Sequence, residues 1–153
     1  MLEITDVMHW AVEKAKKVFY DCGYHENILI GYTESGTEVI GLNYHDDIEK
    51  EAELRFARWL FSDVGVQAYV HIAEAWVVKL EKGESLEAPP SKSPKRREVL
   101  IVMAISKTQK LACHMGIRRD GDKVWLEEGE IEESPNVSGP FTELLEEEPK
   151  VYS

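Results

Sequence analysis

From residue 5 the apolar positions recur at three- and four-residue spacing. Met8, Ala11, Val12, Ala15, Val18, Phe19 and Cys22 form a stripe, and Glu13, Lys14, Lys16 and Lys17 fill the other side. Thr5 is an N-cap type and Gly23 a natural stop, so the pattern predicts an amphipathic helix. The period then changes to two. Residues 28–32 (ILIGY) and 38–44 (EVIGLNY) read as strands joined through a TESG turn. The helical period returns over 45–63 (HDDIEKEAELRFARWLFSD), where Asp46 and Glu49 stand at capping-box spacing. Ile48, Ala52, Phe56, Trp59 and Leu60 make one stripe, which Leu54, Ala57 and Phe61 widen. An arc this broad predicts a helix covered on more than one side.

A long strand is expected at 66–80 (VQAYVHIAEAWVVKL). The prolines and charges of 81–97 then mark a flexible linker. Strands follow at 98–106, 111–119 and 123–127, with Asp120-Gly121 as a tight hairpin signal between the last two. The order is α-β-β-α-β-β-β-β, an α+β fold with one antiparallel sheet packed by two helices. A single domain over residues 1–128 is expected, followed by an acidic tail at 129–153 with a short helix near 141–147. In element order alone the chain loosely resembles profilin-like and roadblock-like domains, which implies no function.

Glu74 is the oddity. Ile72, Glu74, Trp76, Val78 and Leu80 share one strand face, so a carboxylate sits in an apolar row. Centring the hairpins puts Glu74 opposite Met103 and Met103 opposite Cys113. That register collects Val99, Ile101, Met103, Ile105, Cys113, Met115 and Ile117 around Glu74. A buried ionised carboxylate must pair, protonate or reach water. The expected partner is a cation, from Arg55 or Arg58 on the second helix or from Arg96 or Arg97. The competing reading is an acid or base in a pocket beside Trp76. The opposite face, with Tyr69, His71, Ala73, Ala75 and His114, offers small residues and spare apolar surface, which suits a homodimer.

Chemical motifs narrow the field further. The five histidines form neither HxH nor HExxH, and the nominal register leaves His71 and His114 about four residues apart, so no metal is expected. Nucleophile elbows, P-loops and dinucleotide fingerprints are missing, and no cofactor is expected. Cys22 and Cys113 read as two buried thiols. The first residues lack a signal-peptide pattern and no apolar run is long enough for a membrane span, so the expected location is cytoplasmic, without a membrane partner.

The net charge of −11 argues against general nucleic-acid binding. Charge is uneven: residues 81–110 hold seven bases and four acids between strongly acidic flanks. A meander would gather Lys79, Lys82, Lys92, Lys95, Arg96, Arg97, Arg118, Arg119 and Lys123 at one end of the sheet. That end could receive the acidic tail, or an acidic partner or phosphate-bearing ligand. The tail segment GPFTELLEEE, with Phe141, Leu144 and Leu145, reads as a peptide-like docking element, for self or for a partner.

The residues EAWVVKL and PPSKSPKRREVLIVMA resemble a pattern in short prokaryotic and phage-encoded proteins of uncharacterised function. There a strand with E-A-W precedes a strand with P-x-x-R-x-E-V. The matching positions are Glu74, Ala75, Trp76, Pro94, Arg97, Glu98 and Val99, with the R-x-E spacing met through Arg96. The resemblance implies no activity, but it suggests that Glu74, Trp76 and an arginine at 96–97 belong together. The sequence thus favours a non-enzymatic protein-interaction module, homodimeric or with a protein partner. The alternative is a small-ligand binder or hydrolase-type enzyme using Glu74, Trp76, Arg96 or Arg97, and His114.

Overall fold

A computed structural model describes residues 3–133 and 140–146. Helix α1 (Ile4–Cys22) begins two residues earlier than the Thr5 cap suggests, with Glu3 at the N-cap position. Ile4 explains the difference: it adds a buried residue to the stripe of Val7, Met8, Ala11, Val12, Ala15 and Phe19. Gly23 ends the helix in the left-handed conformation (φ 83°) and donates its N–H to the Phe19 carbonyl at 2.7 Å. Strands β1 (Ile28–Thr33) and β2 (Gly36–Gly41) form the first hairpin, and helix α2 (Asp47–Val64) follows. Its start is fixed as predicted: Asp46 Oδ1 accepts the Glu49 N–H at 2.7 Å, and Glu49 reaches back to the His45 N–H at 2.8 Å.

The remaining strands are β3 (Ala68–Val77), β4 (Arg97–Ser106), β5 (Lys110–Asp120), β6 (Lys123–Leu126) and the two-residue β7 (Glu132–Glu133). They complete one antiparallel sheet in the order β2-β1-β3-β4-β5-β6, with β7 also paired to β5. The α+β class and element order are those read from the sequence. Strand β3 is shorter than 66–80 because its ladder ends where Val77 meets Arg97. The chain between β3 and β4 then holds one 3-10 turn, Pro90–Lys92.

The nominal register is corrected in both hairpins. Glu74 pairs with Leu100, not Met103, and Cys113 pairs with Val102. Both shifts are by an odd number of residues, so β4 presents the other set of side chains. Leu100, Val102 and Ala104 therefore share the face of Glu74, and Ile101 and Met103 lie on the face of His71. The two odd shifts cancel at β5, which leaves Cys113, Met115 and Ile117 with Glu74. The first shift arises because the 81–97 connection is asymmetric and cannot be centred, and the second because the next turn closes with Ile105 opposite Lys110.

The two faces carry separate cores. Helix α1 covers the first, where Phe19, Met8 and Ala15 meet Val70, Ile72, Leu100, Val102, Cys113 and Met115. Helix α2 covers part of the second through Leu54, Ala57 and Phe61, which pack with Leu29, Tyr69, Ile105 and Leu144. Gly31 is required at their contact. A Cβ there would lie 2.8 Å from both Phe61 Cε1 and Val66 Cγ2. Of the two thiols, Cys113 is buried, but Cys22 is exposed, because it is the last residue of α1, where the helix ends.

Candidate interaction surface

Among the described residues Glu74 forms no ion pair with Arg55, Arg58, Arg96 or Arg97, and it does not lie in the middle of the core; the arginine whose charge it feels is Arg119. Glu74 stands just beyond the end of α1, partly buried, and its Oε2 accepts the backbone N–H of His25 at 3.0 Å. The local reason is a chain that turns sharply after Gly23 and leaves a buried amide needing an acceptor. Glu74 thus ties the loop between α1 and β1 to the sheet. Neighbouring groups extend this row: the Arg96 guanidinium lies 5.0 Å above the Trp76 ring, and Arg119 holds Glu98 in a bidentate pair at 3.0 and 3.1 Å. Trp76, Arg96 and Glu74 are therefore at one end of one face. Arg97 is exposed at the start of β4, and His114 is exposed on the opposite face. Arg55 and Arg58 are remote, on the helix covering that other face.

Three of the cations gathered at this end are partnered within the chain, Lys95 by Glu84, Arg118 by Glu127 and Arg119 by Glu98. The described part of the tail docks elsewhere. Residues 140–146, which include the 3-10 turn Pro140–Thr142, lie over β3 and α2; residue 147 lies outside the described residues. Phe141 stacks on the His71 ring (4.4 Å, 9°), and Lys50 Nζ approaches the Phe141 ring to 5.1 Å. The Tyr69 hydroxyl donates to the Phe141 carbonyl at 2.6 Å and accepts the Leu144 N–H at 3.3 Å. Arg58 donates to the Glu143 carbonyl at 3.3 Å, and Leu144 is 2% exposed.

Beneath this strap the polar groups are tightly constrained. His71 Nε2 meets Asn27 Oδ1 at 2.7 Å, while its Nδ1 is buried without a partner. Burial, helped by the Lys50 charge, lowers the His71 pKa to about 4, so the ring is neutral at pH 7. Burial likewise pushes the Tyr69 hydroxyl upward. Arg58 Nε and Glu53 Oε2 are also buried without hydrogen-bond partners. His71 and His114 share a face but are two positions out of register on strands separated by β4, not four. Among the described residues no cluster of three His, Cys, Asp or Glu side chains is placed to hold a metal ion.

The outer side of α2 is the clearest departure from expectation. Ile48, Phe56 and Trp59 are 81%, 52% and 60% exposed, on the side turned away from Leu54, Ala57 and Phe61. The broad apolar arc is therefore two opposed stripes, and only one is covered within the chain. Phe56 and Trp59 pack together at 6.0 Å between centroids. Beside them runs a groove of about 950 Å³, bordered by Arg55, Phe56, Trp59, Lys107, Leu145 and Glu146. The breadth of the arc was visible in sequence; that half of it would face outward was not.

No described helix is long and apolar enough to cross a membrane. No curated protein and no solved structure matches the chain. The family described as Bacteriophage lambda protein ea47 does match, over residues 2–148. This bears out the resemblance to phage-encoded proteins read from the strands around Glu74 and Glu98. With nearly the whole chain covered, the protein belongs to the bacteriophage lambda protein ea47 family.

Proposed function

We propose that this phage-family protein is a non-enzymatic interaction module that self-associates through the outer stripe of α2. One observation carries the reading: Ile48, Phe56 and Trp59 form an uncovered apolar row on a well-capped helix. The charge pattern of the same helix favours a second copy as the occupant. Residues 46–53 hold five acids and one base, whereas 54–62 hold Arg55 and Arg58 and no acid. A two-fold axis that pairs two α2 helices antiparallel sets the exposed Arg55 of each copy toward the partner's acidic half, while Arg58 stays engaged with the Glu143 carbonyl. Phe56 and Trp59 then sit near the axis, where aromatic anchors contribute most. In this reading Glu74 is a structural acceptor for the His25 amide and does no chemistry. The unpaired thiols suit a reducing compartment such as the cytoplasm.

Sedimentation equilibrium tests it. The wild-type chain is expected to be a dimer, Trp59→Asp a folded monomer, and Glu74→Gln a dimer like wild type. A monomeric wild-type chain, or a Trp59→Asp chain that still dimerises, overturns the proposal.

A further inference from the structure

The strap over residues 140–146 is bound the way a peptide is bound. Two side chains anchor it three positions apart, Phe141 on the His71 ring and Leu144 in the pocket with Phe61 and Tyr69. One hydroxyl reads the backbone between them, because Tyr69 donates to the Phe141 carbonyl and accepts the Leu144 N–H. Arg58 donates to the carbonyl of Glu143. Anchors plus main-chain hydrogen bonds are the usual grammar of peptide recognition.

The seat is built by elements that do not depend on the strap. Tyr69 is held in β3 against Phe61 at 5.4 Å, and His71 is fixed by Asn27 at 2.7 Å. Lys50 and Arg58 stand on α2, whose start is fixed by Asp46. The cations Lys50, Arg58 and Lys107 lie along the path of a segment rich in acids. The chain's own segment is an imperfect occupant, since His71 Nδ1 and Arg58 Nε are buried without partners while it is in place. An acceptor brought to Arg58 by another ligand would improve on it.

We propose that Tyr69, His71, Lys50 and Arg58 form a peptide-binding site for acidic segments of other proteins that carry an aromatic residue and, three positions on, a leucine. Residues 141–146 fill that site in cis and must be displaced. This goes beyond self-association through α2 and uses a different surface.

The test is fluorescence anisotropy with a labelled peptide GPFTELLEEE and the full-length chain. Phe141→Ala removes the cis anchor and is expected to raise peptide affinity about tenfold over wild type, because a competing occupant is lost. Adding Tyr69→Phe to that variant reverses the gain. A scrambled peptide of equal charge binds neither. Should Phe141→Ala fail to fold, Phe141→Leu weakens the stack with less loss of volume and is expected to give a smaller gain. Equal affinity for wild type and the loosened variant, or equal binding of the scrambled peptide, overturns the proposal. So does a dimer that Phe141→Ala abolishes while Trp59→Asp leaves it intact, which would make a second copy the occupant.

Discussion

The two faces of the sheet are completed in different ways. On the first, a single 19-residue helix lays a continuous stripe across β3, β4 and β5, and the described residues there form one large apolar cluster. Its one buried polar atom without a partner, the Tyr32 hydroxyl, lies at the margin beside Trp10. On the second face a helix covers one part and a strap of a few residues another. Polar atoms of Glu53, Arg58 and His71 are left unpaired in that region. Buried polar atoms without partners cost stability that apolar packing does not. The first face is closed by continuous apolar packing; the second leaves an exposed apolar stripe and unpaired buried polar atoms.

The largest test of that contrast compares one anchor from each face. Phe19 is fully buried on α1, and Phe19→Ala should destabilise by about 3–5 kcal/mol in urea unfolding, the range for emptying an aromatic core site. Leu144 is nearly as buried, yet Leu144→Ala should cost no more than about 2 kcal/mol, since the strap can lift without unfolding the sheet. Equal losses would mean that the strap is as integral as α1 and would break the comparison.

The second test is pH. His71 titrates at about 4 in the folded protein against an ordinary value of 6.5. Between these values the unfolded chain binds the proton and the folded chain does not, so stability rises with pH there. The contribution of this residue is fully present above about pH 6.5 and is lost as pH falls toward 4, an amount of about 3 kcal/mol from the size of the shift. His71→Gln should flatten that part of the stability curve. Urea midpoints at pH 7 and pH 4.5 decide it: parallel changes in wild type and variant would show that His71 is not held neutral under Phe141.

Much of the first face was legible in the sequence and little of the second. The stripe from Met8 to Cys22 and the Asp120-Gly121 hairpin are local signals, and each marks an element that forms; on the second face the Asp46–Glu49 cap is the one comparable signal. Register is not local. It depended on how the chain between Val77 and Arg97 spends its residues, so β4 was assigned the wrong faces. The partner of Glu74 was hidden for a related reason, because a backbone amide 49 residues away leaves no trace in side-chain pattern. The outer stripe of α2 was visible as breadth, but periodicity reports how apolar a face is and not what lies against it. The docking quality of Phe141 and Leu144 could be read; the seat of Tyr69 and His71 could not, since alternation in β3 looks the same under a helix, a strap or a partner.

The smallest expected effect is the most selective probe of the strap. Tyr69→Phe keeps the ring that packs on Phe61 and removes only the oxygen that serves Phe141 and Leu144. Two hydrogen bonds at about 0.5–1.5 kcal/mol each set the scale. The freed carbonyl and N–H recover water if the strap lifts, so the global loss should stay near about 1 kcal/mol. The local loss should be larger. Hydrogen exchange at the Leu144 amide should accelerate in the variant, while amides of β3 and β4 under α1 keep their protection. If those sheet amides lose protection in step with Leu144, strap and sheet open together, and the second face is as much part of the fold as the first.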